Sequence, residues 1–169
     1  MLKRIFSGFV AVCIGLSFAP LEAHAQKYAA ISAPVGEHIR NVMLFIELDA
    51  RNCSTYSFGS GVGCMTSAGD EDVNIIRLGI GSPCRKHGTV QLDFTDDFYL
   101  IGVTCGSSKD LLRNLVSVMN ASYGEGEETR SKDGDYRETL WKTREMAVKA
   151  VEENFGDRSV YSASVFLLR

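Results

Sequence analysis

The chain has 169 residues, 45% apolar and 23% charged, with 16 glycines and 3 prolines. That size fits one domain, and the balance excludes collagen-like, low-complexity and disordered classes. A net charge of −3 and an isoelectric point near 5.6 argue against a nucleic-acid-binding surface, and a single apolar run, at the amino end, excludes a polytopic membrane protein.

Residues 1–25 read as a secretory leader. Lys3 and Arg4 supply its positive start, Ile5 to Ala19 its apolar stretch, and Ala23-His24-Ala25 a small-x-small cleavage site that leaves Gln26 first in the mature chain. The apolar run is too short to span a bilayer, which takes about 20 residues. Cys13 raises a lipoprotein alternative, but Val12 precedes it inside the apolar run and the better cleavage site lies downstream.

Export discards Cys13 and leaves Cys53, Cys64, Cys84 and Cys105, an even number expected to form disulfides in an oxidising compartment. Four cysteines allow three connectivities. Pairing neighbours, Cys53 with Cys64 and Cys84 with Cys105, is the simplest, and loops of that size each gain on the order of 3 kcal/mol from the restricted unfolded chain. The alternatives are redox or zinc-binding cysteines. There is no C-x-x-C, and His38 and His87 lack zinc-site spacing, so no metal or cofactor is expected.

Along the mature chain, Ile39, Val42, Met43, Ile46 and Ala50 recur at helical spacing and predict a helix over 36–51, with His38 a surface residue near its start. Residues 54–69 read as turns and short strands. Gly59-Ser60-Gly61-Val62-Gly63 has no following Lys-Ser/Thr and no strand–loop–helix setting, so a hairpin is preferred over a phosphate loop. Val73 to Ile80 reads as a strand, Gly81-Ser82-Pro83 as a turn, and Arg85-Lys86-His87 as a small basic loop. Thr89–Phe94 and Phe98–Thr104 alternate as strands about a Thr95-Asp96-Asp97 turn. Asp93, Asp96 and Asp97 with His87 do not spell a calcium loop and read as turn carboxylates.

Ser107 and Asp110 open the clearest helix, whose stripe is Leu111, Leu112, Leu115, Val118 and Met119 and whose end is Gly124. Residues 125–135 read as an exposed loop. From 135 to 155 the local signals favour a helix: Asp135 and Glu138 as a capping box, Glu145 and Lys149 four apart, and Gly156 beyond. Met146, Val148 and Ala150 alternate against it. Val160 to Leu168 is a strand, and Trp141 is assigned to the core or an interface.

Gly36-x-x-Ile39-x-x-Val42 running into Asn52-Cys53 and a Ser/Gly-rich turn to Cys64 resembles one repeat of the β-lactamase-inhibitor-protein-like family. Asp72-Val73-x-x-Ile76, the helix ending Ser122-Tyr123-Gly124 and the later Trp141 are similar to small exported bacterial proteins of that group. The resemblance implies an α+β unit whose helices pack on one face of an antiparallel sheet, a hairpin over 146–168, and binding of other proteins in place of substrates. The fold class expected is therefore α+β, an antiparallel sheet with two or three helices on one face, disulfide-linked, in one domain over 26–169.

The function expected is an exported, periplasmic or secreted, non-catalytic protein-binding module, an inhibitor, immunity protein or envelope adaptor. Its partner is another protein, with no nucleic acid and no membrane span. Tyr56, Phe58, Tyr99 and Tyr161 are the candidate interface residues, because tyrosine and phenylalanine are enriched at protein interfaces. The alternative is a small secreted hydrolase using His87 with a nearby Asp, though neither a G-x-S-x-G elbow nor an H-E-x-x-H helix is present.

Overall fold

Alternation with a period of two, more than the helical period, organises the folded chain. The computed structural model describes residues 31–43, 46, 53–55, 61–67, 75–79 and 81–168. The leader, Tyr56 and Phe58 lie outside the described residues.

The elements in chain order are β1 (Ile31–Ser32), α1 (Ile39–Val42), β2 (Cys53–Thr55), β3 (Val62–Ser67), β4 (Arg77–Leu78), β5 (Thr89–Phe94), β6 (Leu100–Gly106), α2 (Lys109–Tyr123), β7 (Glu127–Arg130), β8 (Tyr136–Lys142), β9 (Met146–Phe155) and β10 (Arg158–Leu167). β1 pairs with β4 in a small ribbon. The other eight strands form one sheet in the order β2-β3-β5-β6-β10-β9-β8-β7, and every pairing is antiparallel.

Two meanders meet at the β6–β10 seam, and α2 makes this possible. It leaves β6 and must reach β7, four strand spacings away, or about 19 Å. Its 15 residues span about 22 Å, so the helix lies across one face of β10, β9 and β8. Leu112, Leu115 and Met119, three and four apart, turn their stripe onto that face. Ser108 Oγ accepts the Leu111 N–H to cap the start, one residue later than the capping box expected at Ser107. Ser107 Oγ donates instead to the Pro83 carbonyl at 2.6 Å. Gly124, at φ 82°, ends the helix.

The register aligns one buried row: Trp141, Val148, Val165, Val103, Leu92 and Cys64 occupy successive positions across β8, β9, β10, β6, β5 and β3. They belong to one core with the α2 stripe, Val42, Ile46 and Ile76. Trp141 is 2% exposed, and its Nε1 donates to Asn120 Oδ1 at 3.0 Å and to the Gly124 carbonyl at 3.2 Å, fastening the helix end to β8. The opposite face carries Leu140, Lys149, Ser164, Thr104, Gln91 and Met65 in a parallel row.

The fold departs from the α+β arrangement expected from the sequence. Sheet dominates, α2 is the only long helix among the described residues, and α1 is a single turn. The helix expected over 135–155 is instead the β8–β9 hairpin. Every local signal for it is redirected into long-range pairing. Asp135 offers its carbonyl to the Asn154 N–H at 2.7 Å, and Glu138 receives the Tyr136 hydroxyl and Lys149. Thr143 turns the chain by bonding Met146 through both its backbone and its hydroxyl. The alternation of Met146, Val148 and Ala150 was the weaker local signal and the one the fold follows. The loop expected over 125–135 contains β7, an exposed edge strand. Of the helix expected over 36–51, only Ile39–Val42 is helical among the described residues: His38 caps it in an extended conformation, Met43 ends it, and Val42 and Ile46 are buried.

Candidate functional site

The expected interface does not assemble from its tyrosines. Tyr99 stands in the β5–β6 turn beside Leu100, whereas Tyr161 accepts the Ser107 N–H through its carbonyl, just past the other end of β6. Seven residues of β6 put those ends about 20 Å apart. Tyr161 is half-buried on the α2 face and packs against the core.

What surrounds Tyr99 is more telling. The turn is closed by the Thr95 N–H to the Tyr99 carbonyl at 2.9 Å, the Phe98 N–H to the Thr95 carbonyl at 3.0 Å, and the Tyr99 N–H to Thr95 Oγ1 at 3.1 Å. In such a hairpin the residue before the returning strand takes a left-handed conformation, which normally selects glycine. Here that residue is Phe98, at φ 61°. A bulky aromatic residue at positive φ is strained. Burial does not repay the strain, because the ring is 44% exposed and its neighbour Tyr99 is 50% exposed.

The tip is held from the side by the chain around α1. The Gly36 N–H donates to the Leu100 carbonyl, the Leu100 N–H to Glu37, and the Ile39 N–H to the Phe98 carbonyl. His38 caps α1 by accepting the Arg40 N–H at Nδ1, and its ring meets Tyr99 edge-on with centroids 5.4 Å apart. Met43, at the far end of α1, is also exposed, and Asp96 and Asp97 stand exposed in the turn. The result is a rigid aromatic point with carboxylates beside it. Such a surface contacts another apolar surface at small entropic cost. The sequence points to Tyr99. It reads Phe98 only as the start of a strand, and the missing glycine after Thr95-Asp96-Asp97 is the signal that could have found it.

The residues named for a hydrolase are dispersed. His87 is exposed in the turn before β5, at φ 54°, and Asp96 and Asp97 lie beyond the other end of that strand. Among the described residues no group of three or more His, Cys, Asp or Glu side chains is placed to hold a metal ion.

The cysteines form two neighbouring pairs. Cys53 and Cys64 face each other directly in the β2–β3 ladder, and Cys84 is tied to Cys105 on β6. Two cystines suit an oxidising compartment. Among the described residues no helix is long and apolar enough to cross a membrane.

On the face away from α2, the Tyr136 hydroxyl donates to Glu138, and Lys149 Nζ lies 3.2 Å from that carboxylate and 5.8 Å over the Phe166 ring. The Tyr136 hydroxyl and then Lys149 hold the Glu138 carboxyl below its ordinary range. The hydrogen bond to Glu138, with burial and the nearby Glu138 and Glu153 charges, pushes Tyr136 up to about 12.

Comparison with protein-family models, curated proteins and solved structures finds no match to this chain.

Proposed function

We propose that this chain is an exported, non-catalytic protein-binding module, an inhibitor, immunity protein or envelope adaptor, cut after Ala25 and working in the periplasm or outside the cell. The observation that carries the reading is Phe98. Its left-handed backbone costs of order 1 kcal/mol or more where glycine costs nothing, and the residue is left 44% exposed instead of being buried in the core. Strain of this kind concentrates where a side chain must be displayed. The carboxylates of Asp96 and Asp97 favour a partner whose apolar pocket has a basic rim. The resemblance of residues 36–64 and 72–141 to inhibitor-like proteins points the same way, as do two cystines behind a leader-like amino end.

The test compares the exported protein with its Phe98→Gly variant. Folding stability should hold or rise by up to about 1 kcal/mol in the variant, because glycine relieves the turn. Cross-linking in the producing cell should yield a defined protein adduct with the unsubstituted chain, and that adduct should fall at least tenfold with Phe98→Gly. The same adduct at the same yield from both chains would sink the reading. Intact mass before and after reduction checks cleavage after Ala25 and the two cystines together.

A further inference from the structure

The other end of β6 holds a second feature, independent of the aromatic tip. A cleft of about 500 Å³ opens there over Gly106. Three cations from three separate elements line it: Arg85 from the turn before β5, Lys109 at the start of α2, and Arg158 at the start of β10. Among the described residues no carboxylate lines it.

That charge runs against the acidic balance of the chain, and Arg113, Arg130, Arg137, Lys142 and Lys149 each lie beside a carboxylate. Arg85, Lys109 and Arg158 have none within ion-pair distance among the described residues, as is also true of Arg40, Arg77, Lys132 and Arg144, but only these three line one cleft. Lys109 also occupies the first helical position, where the positive end of the helix dipole disfavours a cation. Local physics would place an acid there.

The chain that carries Arg85 and Lys109 is held in place. The Cys84–Cys105 cystine and the Arg85 N–H to Gly106 carbonyl bond at 2.8 Å hold the Arg85 turn against β6. Gly88 is needed for that fit, since a Cβ there would come within 2.9 Å of the Arg85 carbonyl. Ser107, two residues before Lys109, is tied to both the Tyr161 and Pro83 carbonyls. Thr89, Tyr161 and Ser162 also line the cleft, and their hydroxyls carry no protein hydrogen bond among the described residues.

We propose that this cleft binds a small hydroxylated ligand bearing an oxyanion, such as a sugar or polyol phosphate. The cations take the anionic group by charge-assisted hydrogen bonds, and the free hydroxyls take the ligand's own hydroxyls. The ligand is either a free solute or the exposed headgroup of a lipid, and one experiment separates the two.

Amide spectra of the mature, oxidised protein are recorded while inorganic phosphate, glucose 6-phosphate, glucose and glycerol 3-phosphate are added in turn. The same protein is sedimented with phosphatidylglycerol and with phosphatidylcholine vesicles. The anionic probes are expected to give saturable shifts confined to Arg85, 106–109 and 158–162, weakening as salt is raised, with glucose silent. Lys109→Gln and Arg158→Gln should each weaken binding roughly fivefold or more, while Arg113→Gln, outside the cleft, leaves it unchanged. Saturation by the soluble phosphates alone assigns a free solute. Sedimentation with phosphatidylglycerol that Lys109→Gln and Arg158→Gln abolish assigns a headgroup. Absence of saturable binding in every arm, or equal weakening by Arg113→Gln, overturns the proposal. Melting curves of each variant separate lost binding from lost folding.

Discussion

At the scale of single residues, backbone room and proton affinity set the sharpest constraints. Gly126 has no side chain because Trp141 fills the space: a Cβ there would come within 2.7 Å of both the indole and Thr139. The clash is with a 2% exposed ring already held by two hydrogen bonds, so it has little freedom to yield. Gly126→Ala should therefore cost about 1–3 kcal/mol in urea unfolding, where a surface glycine replaced by alanine would cost nothing or stabilise. The Tyr136–Glu138–Lys149 cluster sets a pH dependence with two limbs. Glu138 is held low, so its contribution is full above the unfolded carboxylate value of about 4.3 and fades as pH falls through the lower folded value. Tyr136 is raised, so its contribution is full below about pH 10 and fades as pH climbs toward 12. Glu138→Gln should flatten both limbs of stability against pH, and the tyrosinate absorbance of Tyr136 should be among the last to develop. Unchanged limbs in the variant would contradict this.

At the scale of elements, β5, α2 and β10 were legible because each announces itself locally. Thr89–Phe94 alternates cleanly, α2 carries its own cap and a helical stripe, and Val160–Leu168 has no competing pattern. The β8–β9 hairpin was not. Residues 135–155 hold good helix formers, yet β10 and β7 supply ladder partners on both sides, and Trp141, Val148 and Ala150 gain burial only as strands. Tertiary pairing outweighs a propensity worth a few tenths of a kcal/mol per residue. A peptide of residues 135–156 should accordingly gain helical circular dichroism in trifluoroethanol, while the whole protein keeps a sheet spectrum. A peptide that stays coil or turns to sheet would show that the helical bias was never there.

At the scale of the molecule, one sheet is assembled from two meanders, and the cystines sit only in the first. Cys84–Cys105 ties an irregular segment to the central β6, whereas Cys53–Cys64 holds the short edge strand β2. Removing both should cost several kcal/mol, since each closed loop is worth on the order of 3 kcal/mol. The edge pair should matter less. With Cys53 and Cys64 both changed to alanine, amide exchange should speed at β2 and β3 and leave β8–β10 protected, while losing Cys84–Cys105 should lower the melting temperature further. Uniform exchange in the edge variant would mean that the edge and the seam unfold together. The aromatic tip and the cationic cleft occupy opposite ends of β6, so a change at one should leave the other's readout intact.

The sequence by itself determined what neighbours along the chain can decide: pairs of cysteines close in number, a helix that caps itself, strands whose alternation has no rival, and an acidic chain with an export-like amino end. It also picked out Tyr99, though as one of four aromatics of which two lie outside the described residues and Tyr161 belongs to another surface. The tertiary structure alone decided that 135–155 is sheet, that Gly126 makes room for Trp141, that Phe98 is displayed, and that Arg85, Lys109 and Arg158 share a cleft. The hairpin, the room at Gly126 and the cleft depend on groups far apart in sequence, whose hydrogen bonds and packing exist only in the folded chain, with β10 returned to lie beside β6. Phe98 is displayed because the β5–β6 turn closes on Thr95 and is held by the distant chain around α1.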